Sequence, residues 1–121
     1  MKIKTTELQR EALDRMVAKA EGIELSNGCY NRLLVDGRMS TGQKMLTPYN
    51  PSTDWAHGGP IVERCCINVY YDGGGYWCAT TDSGDPPRFG PTPLIAAMRC
   101  YVASKLGDEV EVPDELVEKE V

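Results

Sequence analysis

The single histidine of this chain, His57, is the residue to weigh first for acid–base chemistry. Asp54 stands three residues earlier, so a helical turn over residues 52–57 would bring a carboxylate to the imidazole. That pair is the kernel of an oriented general base. A nucleophile is needed as well, and Ser52, Thr53 or a cysteine are available with nothing in their spacing to choose among them. The plainer reading makes Asp54 a turn residue or a first-turn charge favoured by the helix dipole. It is preferred, because a catalytic role rests on mutual geometry that spacing does not supply. Asp54 and His57 are therefore the only catalytic candidates. Trp55 lies between them, and a large aromatic there either anchors the segment to the core or serves as a contact hot spot. Asp54, Trp55, His57, Gly58 and Gly59 together make the candidate binding surface.

Other chemistries fit less well. Gly37 to Lys44 has the glycine spacing of a phosphate loop, but Gln43 stands where the lysine belongs and no helix pattern follows. Gly73 to Gly75 reads as a hairpin turn that needs positive backbone angles, not as a ligand loop. Asp82 and Asp85 lack the ordered ligand series of a calcium site. The five cysteines, Cys29, Cys65, Cys66, Cys78 and Cys100, include no C-x-x-C pair, so free thiols in a reducing compartment are expected and no metal site. No cofactor is expected. The net charge of −5 opposes binding to nucleic-acid backbones at long range, and Arg32, Arg38, Lys44, Arg88 and Arg99 are scattered. Nucleic acid is accordingly not an expected partner. No apolar run approaches the roughly 20 residues of a membrane span, and the N-terminus lacks the apolar stretch of a signal peptide. A cytoplasmic location is expected.

The elements that must position these residues follow from periodicity. The 121-residue length suits one domain, expected over residues 1–113, with an acidic tail at 114–121. Residues 6–22 read as an amphipathic helix capped by Thr6, with Leu8, Ala12, Leu13, Met16, Val17 and Ala20 on one face and Gly22 as its stop. Cys29 to Val35 reads as a strand ending in a turn at Asp36-Gly37. Residues 38–60 read as a long irregular loop, with a short helical turn at 52–56 halted by Gly58-Gly59-Pro60. Ile61–Tyr71 and Tyr76–Thr81 flank the glycines as a hairpin. Pairing Tyr71 with Tyr76 would put Ile67, Val69, Tyr71, Tyr76 and Cys78 on the core face. After a Pro-rich turn at 82–91, Thr92 caps a helix over Pro93–Leu106 that Gly107 stops. Val110–Val112 is a candidate edge strand. The expected fold is α+β: a three-stranded antiparallel sheet, with a short fourth edge strand an option, packed on one face by an N-terminal and a C-terminal helix.

Two stretches resemble a known family. Thr53-Asp54-Trp55-Ala56-His57-Gly58-Gly59-Pro60-Ile61-Val62-Glu63-Arg64 is similar to the hallmark segment of the NinX-like proteins of lambdoid phages and prophages, and Gly90 to Gly107 to their C-terminal helix. Met1 to Leu8 fits the usual start. The resemblance implies phage origin and expression in the bacterial host cytoplasm; it brings no reaction, cofactor or catalytic set with it. Two weaker analogies exist. Asn68 to Pro113 resembles the HicB-like antitoxin pattern, and the element order resembles double-stranded RNA-binding domains, although Pro93 to Met98 lacks the positive charge such domains use.

The leading expectation is a non-enzymatic accessory protein that binds a host or phage protein through the Trp55 surface. The alternative is a small hydrolase or transferase using Asp54 and His57, and the third is a nucleic-acid-binding or antitoxin-type regulator. A sheet face carrying Tyr70 and Trp77 would be an apolar patch that a symmetric homodimer could cover.

Overall fold

The computed structural model describes residues 2–8, 10–22, 26–27, 33–38, 44–82 and 86–112. In chain order the elements are β1 (Lys2–Lys4), a 3-10 turn at Thr5–Glu7, α1 (Arg10–Glu21), β2 (Ser26–Asn27), β3 (Leu33–Arg38), β4 (Lys44–Pro48), α2 (Trp55–Arg64), β5 (Asn68–Tyr71), β6 (Trp77–Thr80), β7 (Arg88–Gly90), α3 (Pro93–Leu106) and β8 (Glu109–Glu111). The class is α+β, with antiparallel sheets, as expected.

α3 is the centre of the molecule. Thr92 Oγ1 accepts the Ile95 N–H at 3.1 Å, Pro93 occupies the first turn, and Gly107 ends the helix at φ 96°. Its buried residues, Leu94, Ala96, Ala97, Met98, Cys100, Tyr101 and Val102, face more than one direction. A helix apolar on several faces must be covered on several sides. The β5–β6–β7 sheet lies against it, and α1 and α2 also pack on it. β7 approaches so closely that a Cβ on Gly90 would stand 2.7 Å from the Ala96 nitrogen. The small residues Ala96 and Ala97 permit this approach.

The main sheet differs in membership and register from the sequence reading. The third strand is Arg88–Gly90, inside the segment read as a turn. Strand β3 joins a separate sheet with β2 and β4, and it runs straight through Asp36 and Gly37, which pair with Leu46 and Met45. Pairing there overrides local turn chemistry. Cys29 lies outside the described residues. In the hairpin Tyr71 pairs with Trp77, not Tyr76, because Asp72 N–H donates to the Tyr76 carbonyl at 2.9 Å and leaves Gly73–Gly75 as the loop. Gly73 and Gly75 sit at φ 88° and 90°, which explains the glycines. The slip turns Val69, Trp77 and Ala79 toward the core. Tyr70, Cys78 and Phe89 are cross-strand neighbours on the opposite face. Tyr70 (46%) and Phe89 (45%) remain exposed there, whereas Trp77, expected beside Tyr70, is half-buried.

The N-terminal helix begins later than expected. Thr5–Glu7 form the 3-10 turn, and α1 runs from Arg10 to Glu21, with Gly22 at φ 72° beyond it. Thr6 therefore caps nothing in α1. Thr5 is the working threonine: buried, it donates Oγ1–H to the Gly107 carbonyl at 2.6 Å, and its N–H bonds the Asp108 carbonyl at 2.7 Å. These bonds tie the chain start to the end of α3. The edge strand is Glu109–Glu111, and it pairs with β1 instead of extending the main sheet. Lys2 opposite Glu111 and Lys4 opposite Glu109 match charges across that ribbon. Residues 113–121 lie outside the described residues.

The largest correction concerns residues 38–60. Strand β4 and the first six residues of α2 take up much of the expected loop, and the helix continues through Gly58-Gly59-Pro60 to Arg64, taking Ile61–Arg64 from the expected strand; residues 39–43 lie outside the described residues. Two interior glycines at about 1 kcal/mol each and a proline at about 3 kcal/mol make this run roughly 5 kcal/mol worse than alanines in a helix. Tertiary packing must override that preference, and Gly58 shows how. A Cβ there would stand 2.4 Å from the Pro51 carbonyl oxygen and 2.6 Å from Leu94 Cδ1.

Candidate functional site

The N-terminus of α2 is built from the turn before it. The Asn50 carbonyl accepts the N–H groups of Thr53 at 3.0 Å and Asp54 at 2.8 Å. Asp54 has extended backbone, φ −119° and ψ 113°, and its Oδ1 accepts the Ala56 N–H at 2.9 Å. It is the N-cap of the helix, satisfying a donor that the first turn leaves free.

His57 closes the same turn. Its Nδ1 accepts the Asn50 N–H at 3.2 Å and lies 3.2 Å from Asn50 Oδ1. Its ring packs on Tyr49 with centroids 5.2 Å apart. Asp54 Oδ2 stands 3.8 Å from the same nitrogen. The sequence reading correctly brought the two side chains together through a helical turn. An oriented general base, however, needs Nδ1–H donating to the carboxylate. Here the nearest partners of Nδ1 are the Asn50 amide nitrogen and Oδ1, both at 3.2 Å, and the Asp54 carboxylate stands farther off at 3.8 Å. The geometry is that of a staple across Asn50–His57.

The remaining members of the group separate. Trp55 is 53% exposed, and its Cε3 lies 3.7 Å from where a Cβ on Gly59 would stand. Gly59 thus sits beside the indole on the outer side of the helix. Gly58 is buried against Pro51 and Leu94 and belongs to the packing, not the surface. The candidate surface reduces to Trp55 with Asp54, Gly59 and the partly exposed His57.

Sequence reasoning passed over two carboxylates that hold this region. Asp14, only 6% exposed, accepts the Ser52 N–H on Oδ1 at 2.8 Å. Ser52 itself is buried, and its Oγ has no hydrogen-bond partner. Two turns further along α1, Glu21 accepts from Arg64 Nη2 at 2.5 Å and from the buried Tyr101 hydroxyl, joining the ends of α1 and α2 to α3. Burial alone would raise the Glu21 pKa, but the bonds from Arg64 and Tyr101 outweigh it and hold the carboxyl below its ordinary value. Burial and the Glu21 bond push Tyr101 up, and burial with the nearby Glu21 and Asp14 charges pushes Tyr49 up to about 12. One signal was available: Asp14 and Glu21 stand seven apart, on the helical face that carries the buried Val17 and Ala18.

The other sequence candidates are dispersed. Arg38 and Lys44 pair across β3 and β4, so a strand, not a helix, follows the phosphate-loop-like segment. Arg88 bonds Asp108 at 2.7 Å, and Arg99 donates to the carbonyls of Leu8 at 2.8 Å and Phe89 at 2.9 Å. Arg32 and Asp85 lie outside the described residues. Cys65 and Cys66 follow α2, with Cys66 exposed at φ 53°; among the described residues no disulfide joins these two, Cys78 or Cys100. Among the described residues no group of three or more His, Cys, Asp or Glu side chains could hold a metal ion. No described helix is long and apolar enough to cross a membrane.

No curated protein matches the chain. The family model described as Bacteriophage P22, NinX matches residues 4–105, from the end of β1 almost to the end of α3, and so takes in the α2 segment and the central helix. With that match spanning most of its length, the chain belongs to the NinX family of phage proteins.

Proposed function

We propose that this phage accessory protein acts without catalysis, in the host cytoplasm, by binding a phage or host protein through the outer side of α2 around Trp55. The observation that carries the reading is a tryptophan more than half exposed at the start of a helix whose other conspicuous residues face inward or cap it. Exposed tryptophans are enriched among residues that dominate binding energy at protein interfaces. Asp54 and His57 support the reading by their engagement as cap and staple, which favours it over a hydrolase built on them. The surface is a helix side instead of the expected loop, so the contact is pre-formed and its ordering cost on binding is small.

The test is affinity capture from phage-infected cells with wild-type protein and Trp55→Ala. A defined partner recovered with wild type and lost with the variant supports the surface. Equal recovery with both removes it. A symmetric homodimer over Tyr70 and Phe89 is a second, separate proposal, favoured by their joint exposure on the outer sheet face. Light scattering giving a monomer mass would end it.

A further inference from the structure

Helix α2 is attached differently from α1 and α3. Of its ten residues only Gly58 and Ile61 are buried, whereas α3 buries seven of its fourteen, from Leu94 to Val102. Its interior Gly58-Gly59-Pro60 gives it little tendency to be helical when undocked. What fastens it is a small apolar contact, Ile61 in the core with Val62 and Cys65 packed beside it, together with polar bonds at its two ends. Asp14 holds the preceding turn through the Ser52 N–H, and Glu21 holds Arg64 at the far end while also accepting from Tyr101. Both carboxylates come from one face of α1. Tyr49 and Ile61 join the same apolar core, but most of it, Leu13, Val17, Met98 and Val102 included, comes from α1 and α3.

We infer that residues 49–66 form a flap that opens and melts as one unit while the α1–α3–sheet core stays folded, uncovering Leu94, Tyr101, Asp14 and Glu21 beneath it. Regions with few buried apolar contacts open at lower free energy than the core they rest on. When α2 undocks, no local preference keeps it helical, so leaving and unwinding are one event. The opened floor pairs an apolar patch at Leu94 with two carboxylates, and the buried Ser52 hydroxyl gains a water partner when its turn lifts. The inference stands apart from the Trp55 binding reading, since it concerns motion of the segment and would hold whatever that segment binds.

Native-state hydrogen exchange of the wild-type protein over a series of sub-denaturing urea concentrations tests it. The amides of His57, Gly58 and Cys65, all hydrogen-bonded within or at the ends of α2, should exchange together, roughly tenfold or more faster than amides in the middle of α3, and with a smaller urea dependence. Gly58→Val, which drives a branched side chain into Pro51 and Leu94, should abolish α2 protection and leave α3 amides protected. If α2 and α3 amides fall on one isotherm with the full unfolding slope, the flap does not exist as a separate unit. Loss of α3 protection together with α2 protection in Gly58→Val would overturn it equally.

Discussion

Adjacent glycines in α2 should respond to the same substitution with opposite sign. In Gly58→Ala the new methyl would stand 2.4 Å from the Pro51 carbonyl oxygen and 2.6 Å from Leu94 Cδ1. Leucine can rotate away, but the carbonyl is backbone, so the helix itself must shift. Overpacking of this kind costs about 1–3 kcal/mol, and a contact against backbone belongs at the upper end. Alanine returns about 1 kcal/mol of helix propensity, which leaves a net loss of about 2 kcal/mol. In Gly59→Ala the nearest atom is Trp55 Cε3 at 3.7 Å, an ordinary contact, so only the propensity gain of about 1 kcal/mol remains. Urea unfolding followed by circular dichroism reads both. The midpoint should fall for Gly58→Ala and rise for Gly59→Ala, with slopes unchanged. Two shifts of the same sign, or a stabilised Gly58→Ala, would refute the close packing of α2 on Pro51 and Leu94.

Further outcomes follow from the caps and the polar seam. Thr92→Ala should cost about 1 kcal/mol by removing the α3 N-cap, and Asp54→Ala a similar amount at α2, both visible in the urea midpoint. Glu21 has a lowered folded pKa, so its stabilisation is present above its ordinary 4.5 and is lost as pH falls through the folded value. Glu21→Gln should be less stable than wild type at pH 7 and should lose part of the acid dependence of Tm below pH 4.5. Tyr49 has a raised folded pKa, so its contribution is complete below its ordinary 10.0 and disappears as pH climbs toward about 12. Tyr49→Phe should flatten the alkaline loss of Tm in that window.

What could be read from the sequence divides along local and tertiary causes. Helix α3 matches its expected bounds because Thr92, Pro93 and Gly107 each act within a few residues of themselves. The stop at Gly22 was legible for the same reason. Helix α2 was not, because Gly58-Gly59-Pro60 argues locally for a break, and the force that keeps it helical comes from Pro51 and Leu94. Strand β3 passes through Asp36-Gly37 because β4 pairs with it. The hairpin glycines were recognised, but the loop is one residue shorter than expected, and that slip brought Trp77 and Ala79 to the side packed on the core cluster, with Cys78 buried on the other face. At the candidate site, the approach of Asp54 to His57 was legible from their spacing. The partner that Nδ1 takes was not, since it depends on where Asn50 lies.

The binding account can be put to a direct optical measurement. Trp55 and Trp77 are the two tryptophans, so Trp77→Phe leaves Trp55 as the sole indole reporter on the proposed surface. On titration with the captured partner, its emission should shift to the blue and acrylamide quenching should fall as the exposed ring is covered. Emission and quenching that stay at their free values while the partner is demonstrably bound would contradict the assignment of Trp55 to the interface.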